Sequence, residues 1–133
     1  MRTVGITAEF NPFHNGHKIL IDAVREQINP DGIVCIMSGN FVQRGYPAVC
    51  DKWVRARAAV AEGADLVIEL PVVYALSSAS DFAFGSMKIM KALKLTDFAF
   101  GSECGELNEL QRLAEINTEN SDELKAALSG GLS

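Results

Sequence analysis

His14 and His17 bracket an Asn-Gly pair in the stretch TAEFNPFHNGHKIL, residues 7–20. The pair follows a short apolar run and precedes a stretch with helical apolar spacing, which places it on a strand-to-helix turn. A helix starting there leaves its first backbone N–H groups unpaired. Those donors and the positive end of the helix dipole attract phosphate. Gly16 removes a side chain where a nucleotide could lie against the backbone. The imidazoles add N–H donors that can hold phosphate oxygens as charge builds on them. The combination suits in-line nucleotidyl transfer, which needs positioning and charge stabilisation more than a covalent nucleophile. Two other readings fit the same spacing. His-x-x-His on one helical face is half of a metal site, but the chain has only two histidines, so a carboxylate such as Glu9 would have to complete it. Alternatively the pair is structural and caps a buried helix end.

A second polar segment, SGNFVQRG (38–45), follows the next apolar run. Ser38, Asn40, Gln43 and Arg44 supply polar groups there without an evident structural need, which makes them candidates for contact with substrate or phosphate. The planar fork of Arg44 suits a phosphate or carboxylate, although an exposed loop arginine reads the same way. Asp51, Lys52 and Arg55 open a helical stretch. Asp51 is most simply its N-cap, and Lys52 is a further candidate for phosphate. Glu69 lies in the apolar run LVIELP, where an unpaired carboxylate is costly, and an ion pair with Arg44 or Lys52 is the favoured reading.

The elements that must hold these residues follow from the apolar pattern. TVGITAEF (3–10), GIVCIMS (32–38), DLVIEL (65–70) and DFAFG (97–101) are short and mostly continuous, as strands buried on both faces are. Helix-like stretches at 16–27, 51–63 and 78–94 separate them, with Gly63 as a stop and Ser78 with Asp81 as a capping box. A last helical stretch, 106–128, is expected to break near 117–120 and to restart at Asn120 and Glu123. Alternation of strand and helix implies an α/β fold: a parallel sheet with helices on both faces, and ligands at the carboxyl ends of its strands. The hexapeptide DFAFGS occurs twice, at 81–86 and 97–102. Its first copy lies in a helical pattern and its second reads as a strand entering a loop, so the match is not a duplication. Gly85 is then a helix-packing residue and Gly101 a strand end at the ligand edge.

Composition narrows the class. The 133 residues, 48% hydrophobic and 22% charged, suit one compact domain, 1–133. Cys35, Cys50 and Cys104 are scattered and odd in number, against a disulfide framework or a cysteine zinc site. No apolar run reaches the roughly 20 residues of a membrane helix, and the N-terminal residues do not resemble a signal peptide. A cytoplasmic location with no membrane partner is expected. The net charge of -5 comes wholly from residues 101–133, which carry seven acidic side chains against Arg112 and Lys125. Overall charge thus gives no support for nucleic-acid binding. Lys88, Lys91 and Lys94 recur along one helical side, most simply as a solvated face.

AEFNPFHNGH resembles the H-x-G-H signature of nucleotidyltransferases and class I aminoacyl-tRNA synthetases, and implies a Rossmann-like, HUP-type fold. A longer set of blocks, VGITAEFNPFHNGH, MSGNFVQRGYPAVCDKWVRA, GADLVIELPVVYA and FGSECG, resembles the bacterial tRNA(Met) cytidine acetate ligase family from about Val4 to Gly105. That resemblance implies ATP-dependent activation of acetate as acetyl-adenylate, then transfer of the acetyl group to the wobble cytidine of elongator tRNA(Met). It implies ATP binding by Thr7, Ala8, Glu9, Phe10, Asn11, Pro12, Phe13, His14, Asn15, Gly16, His17, Lys18, Ile19 and Leu20, and by Gly101, with His14 and His17 as the catalytic pair on the phosphates. Magnesium is compatible with such a site, and no protein metal site is expected. Family members are longer and carry a second signature loop and C-terminal tRNA-contacting helices that are not among these residues, so a truncated domain is expected. The length alone also suits a small adenylyl- or cytidylyltransferase acting on a phosphorylated metabolite, or an inactive nucleotide-binding fragment.

Overall fold

β1 (Thr3–Ala8) and β2 (Gly32–Ser38) pair in parallel over six positions, from Thr3 opposite Gly32 to Ala8 opposite Met37. The computed structural model describes residues 1–102 and 105–119. The chain divides into two compact units, Met1–Phe100 and Gly101–Ser133. In the first unit β3 (Leu66–Leu70) adds to the outer side of β2, and β4 (Asp97–Ala99) adds to the other side of β1. The resulting order is β3-β2-β1-β4, all parallel. The direction of winding reverses at β1, so the turn that carries the two histidines leaves the sheet beside the reversal.

Continuous apolar strands are needed because helices cover both faces. Ile33, Cys35 and Met37 of β2 pack in one core with Ile21 and Val24 of α1 (Asn15–Ile28) and Ala59 of α2 (Lys52–Ala61). Val34 and Ile36 point the other way, against Ala75 of α3 (Val72–Ala75) and Met90 of α4 (Ala79–Ala92). Burying each such aliphatic side chain contributes about 1.5–3 kcal/mol. Cys35 is a core residue, and burial pushes its thiol up to about 12. The second unit contains α5 (Leu107–Glu119).

Local signals set the helix ends. The Asp51 carboxylate accepts from the Trp53 N–H at 2.7 Å and caps α2. Gly63, at φ +113°, stands just past the end of α2 in a conformation that glycine favours. Ser78 caps α4 by accepting from the Asp81 N–H at 3.2 Å, and its hydroxyl donates to the Asp81 carboxylate at 2.9 Å. The two copies of DFAFGS adopt different structures: 81–86 is helical throughout within α4, whereas in the second copy Asp97–Ala99 forms β4 and 100–102 follow it without regular structure.

Several boundaries differ from expectation. β1 stops at Ala8, because Phe10 takes a left-handed backbone (φ +48°) that turns its ring into the core. The one-turn helix α3 was not expected; its residues continue the apolar run of β3 with no cap in the sequence to mark it. Lys94 lies past the end of α4, so only Lys88 and Lys91 share that helix. Cys104, the restart at Asn120 and Glu123, and the terminal tail lie outside the described residues.

Gly85 lets α4 approach α3. A Cβ at this position would come within 2.6 Å of Tyr74 Cβ and 2.7 Å of Cδ2, groups close to the α3 backbone that cannot swing aside. Gly85→Ala should therefore destabilise the fold by about 1–3 kcal/mol despite alanine's better helix propensity. Thermal denaturation checks this; an unchanged or raised melting temperature would mean that the helices are not packed this closely.

Candidate functional site

The turn after β1 is built from aromatic packing. Phe10, Phe13 and His17 cluster, with ring centroids 5.0 Å apart for the two phenylalanines and 4.9 Å apart for Phe10 and His17. The Asn11–Pro12 peptide between the phenylalanines is cis. Asn11 Oδ1 accepts from the Val49 N–H at 2.7 Å, which joins this turn to the loop after β2. The Glu9 carboxylate makes a second such link, accepting from the Gln43 N–H at 2.6 Å.

The two imidazoles stack, with centroids 3.8 Å apart and planes inclined by 27°. Each also binds the main chain. His14 is the N-cap of α1, and its Nδ1 accepts from the Gly16 N–H at 3.1 Å. The His17 Nδ1 in turn accepts from the His14 N–H at 3.2 Å. This is a reciprocal capping box with imidazole in both roles. The expected open helix tip is therefore corrected: the Gly16 N–H is engaged by a histidine. The cap has a chemical consequence. A ring whose Nδ1 accepts a hydrogen bond carries its proton, when neutral, on Nε2. Both rings are thus held as Nε2–H donors.

Both histidines border a cleft of about 740 Å³ at the carboxyl ends of β1 and β2. Its wall is Glu9, Phe10, Asn11 and Pro12 on one side and Gln43, Arg44 and Tyr46 on the other. His14 is exposed there, and His17 is partly buried. Burial, then the neighbouring His14, pull the His17 pKa below the usual 6.5. The cleft has no carboxylate-rich character: Glu9 is its one acidic residue, set against Arg44 and the two rings.

The other expected site residues are placed as follows. Thr7 and Ala8 end β1, and Ala8, Phe13 and Leu20 pack on the core. Asn15 and Gly16 form the first turn of α1. Lys18 turns to carboxylates, 3.0 Å from Asp22 and 3.5 Å from Glu62, and Ile19 is exposed. Ser38 is fully buried, and its hydroxyl has no partner among the described residues. Asn40 borders a separate cavity of about 210 Å³ with Gly39, Phe41 and Glu69. Lys52 pairs with Glu69 at 2.6 Å, the ion pair expected for that strand carboxylate. Gly101 opens the second unit. Sequence reasoning had not singled out Tyr46 or Val49 of the cleft wall. Tyr46 is an exposed loop aromatic, the type of signal that could have marked it. Among the described residues no group of three or more His, Cys, Asp or Glu side chains is arranged to hold a metal ion. No helix among them is long and apolar enough to cross a membrane.

A family model described as HIGH Nucleotidyl Transferase matches residues 1–133. The tRNA(Met) cytidine acetate ligase of Thermoanaerobacter pseudethanolicus is 54% identical over 117 residues, 87% of this chain and 29% of the relative. That of Caldanaerobacter subterraneus subsp. tengcongensis is 48% identical over 133 residues, 99% of this chain and 33% of the relative. The chain thus spans about a third of the length of these relatives. The crystal structure of Thermotoga maritima TmcAL bound with alpha-thio ATP is similar over the whole chain, with a TM-score of 0.86 and 46% identity, and the chain covers 33% of it.

The depressed His17 pKa gives a stability test. The folded state keeps this ring neutral more firmly than the unfolded chain does. Its contribution is complete above the ordinary value of 6.5 and is lost as pH falls through the lowered folded value. The melting temperature should fall between about pH 7 and pH 5, and fall less steeply in His17→Gln. Identical pH profiles for the two proteins would show that the ring's protonation is not coupled to the cap.

Proposed function

The chain belongs to the HIGH Nucleotidyl Transferase family, and we propose that it forms the ATP-binding domain of a tRNA(Met) cytidine acetate ligase. The observation that carries this reading is the stacked histidine pair, with Nδ1 atoms committed to the backbone and Nε2–H donors left for the cleft. Donors fixed in place suit a triphosphate whose charge redistributes during reaction, because no reorganisation is needed as that charge develops. Arg44 on the facing wall adds a cation whose fork matches a phosphate or a carboxylate.

In the proposed reaction a carboxylate oxygen of acetate attacks the α-phosphorus of ATP in line. The bond to the bridging oxygen breaks and pyrophosphate leaves. His14 and His17 donate hydrogen bonds to the phosphate oxygens and lower the barrier by stabilising charge there. The acetyl-adenylate then acylates the exocyclic amine of the wobble cytidine in elongator tRNA(Met); the C–N bond forms, the amine loses a proton and AMP departs. Residues 7–20 form the nucleotide-binding segment in this reading. Gln43 and Arg44 face the reacting groups. Magnesium, where it accompanies the triphosphate, would be held by phosphate oxygens; among the described residues no carboxylate cluster is arranged to hold it. The domain corresponds to the matched third of the longer relatives.

ATP binding measured by calorimetry tests the site. His14→Ala and His17→Ala should each weaken ATP by about tenfold or more, the size of one lost hydrogen bond to a charged group. Retention of wild-type affinity in both variants would remove the histidines from the phosphate site. Exchange of labelled pyrophosphate into ATP tests the chemistry. Dependence on acetate is expected, and exchange that needs a phosphorylated acceptor instead would identify a small nucleotidyltransferase.

A further inference from the structure

Arg55 is among the largest fully buried side chains, with 1% of its surface exposed. It lies in the second turn of α2 and reaches toward the carboxyl ends of β1 and β2. Its Nη1 donates to the Glu9 carbonyl at 2.6 Å and to the Ser38 carbonyl at 3.1 Å. Nη2 donates to the Gly39 carbonyl, and Nε to the Cys50 carbonyl at 3.1 Å. Among the described residues its partners are these four carbonyls and no carboxylate. Two partly exposed basic side chains differ: Lys52 pairs with Glu69, and Arg25 with Asp65.

Four carbonyl dipoles satisfy the guanidinium's hydrogen bonds but do not cancel its charge. A buried cation without a counter-ion is costly to fold around. Three of the acceptors, Glu9, Ser38 and Gly39, belong to the points where β1 and β2 pass into the loops that wall the cleft. Glu9 is itself part of that wall. The guanidinium therefore fixes the spacing of the two strand ends from below, and places an unneutralised positive charge behind the cleft floor.

We infer that Arg55 is a positioning residue for the anionic ligand of this cleft, holding the histidine turn and the Gln43–Arg44 loop at triphosphate-binding distance while its uncancelled charge favours the triphosphate. This rests on the nucleotide reading of the cleft. It makes a distinction that a purely structural role does not. The residue matters for the charged part of the ligand and much less for the uncharged nucleoside.

The test compares ATP with adenosine, both by ligand-observed NMR, for the wild type, Arg55→Lys and Arg55→Met. Thermal melts and circular dichroism report whether each variant folds. Lysine keeps the charge but cannot span four carbonyls, and methionine removes both. ATP affinity should fall by at least about tenfold in Arg55→Met and less in Arg55→Lys, while adenosine binding changes by under about twofold. Equal losses for ATP and adenosine, or ATP affinity within twofold of wild type in a folded Arg55→Met, overturn the inference. Failure of the wild type to bind ATP sinks the nucleotide reading itself, and this inference with it. Should both variants fail to fold, the wild type decides: the Arg55 Nε–H resonance should shift on adding ATP and stay still on adding adenosine. A resonance indifferent to both ligands refutes the assignment.

Discussion

The parallel pairing of β1 with β2 is the constraint on which the rest depends. Six ladder positions bring the ends of two strands, nearly 30 residues apart in sequence, side by side. Each strand end then releases a loop at the same edge. One loop carries the histidines and the other carries Gln43 and Arg44. Neither loop is regular, yet both are held. Side chains of one accept from main-chain N–H groups of the other at Glu9–Gln43 and Asn11–Val49. Arg55 gathers the carbonyls beneath them. A cleft whose walls are loops thus keeps its shape because its base is a sheet.

The histidine pair shows how one side chain can serve fold and chemistry together. An N-cap is ordinarily a small oxygen-bearing residue, because its task is to accept one or two backbone N–H groups. Imidazole can also accept, through Nδ1, and still present a second nitrogen on the far side of the ring. Serine in the same place would close the helix and offer nothing comparable to a ligand. The capping and phosphate-binding readings of the pair, which the spacing alone leaves as alternatives, are therefore compatible. At His17, burial and the neighbouring His14 both disfavour the charged ring.

Much of this was legible in the sequence. The four apolar runs became the four strands, and their lack of alternation correctly announced a sheet covered on both faces. Asp51, Ser78 and Gly63 marked helix ends because capping is decided by residues close in the chain. What stayed hidden depended on distant partners. Glu69 offered a choice between Arg44 and Lys52, and only the fold selects Lys52. Arg55 read as one more polar residue at a helix start, since its acceptors are carbonyls, which every residue possesses and no pattern advertises. The end of β1 at Ala8 was equally obscure, because an aromatic residue in a left-handed backbone is unfavourable locally and is stabilised by the core that receives its ring. Tyr46 borders the cleft because a loop returns to it.

The repeated hexapeptide carries a more general consequence. The same Asp-Phe-Ala that is helical in α4 is extended in β4, within one molecule and under one set of conditions. In the helix a serine cap precedes the six residues and the hydrophobic period continues beyond them. In the strand the neighbour is β1, already in place to accept main-chain hydrogen bonds. Secondary structure is thus not a property stored in those letters. Cut from either location, the peptide would carry no memory of the shape it had, and any inventory of fragments that assigns it a single conformation must misread one of the two copies.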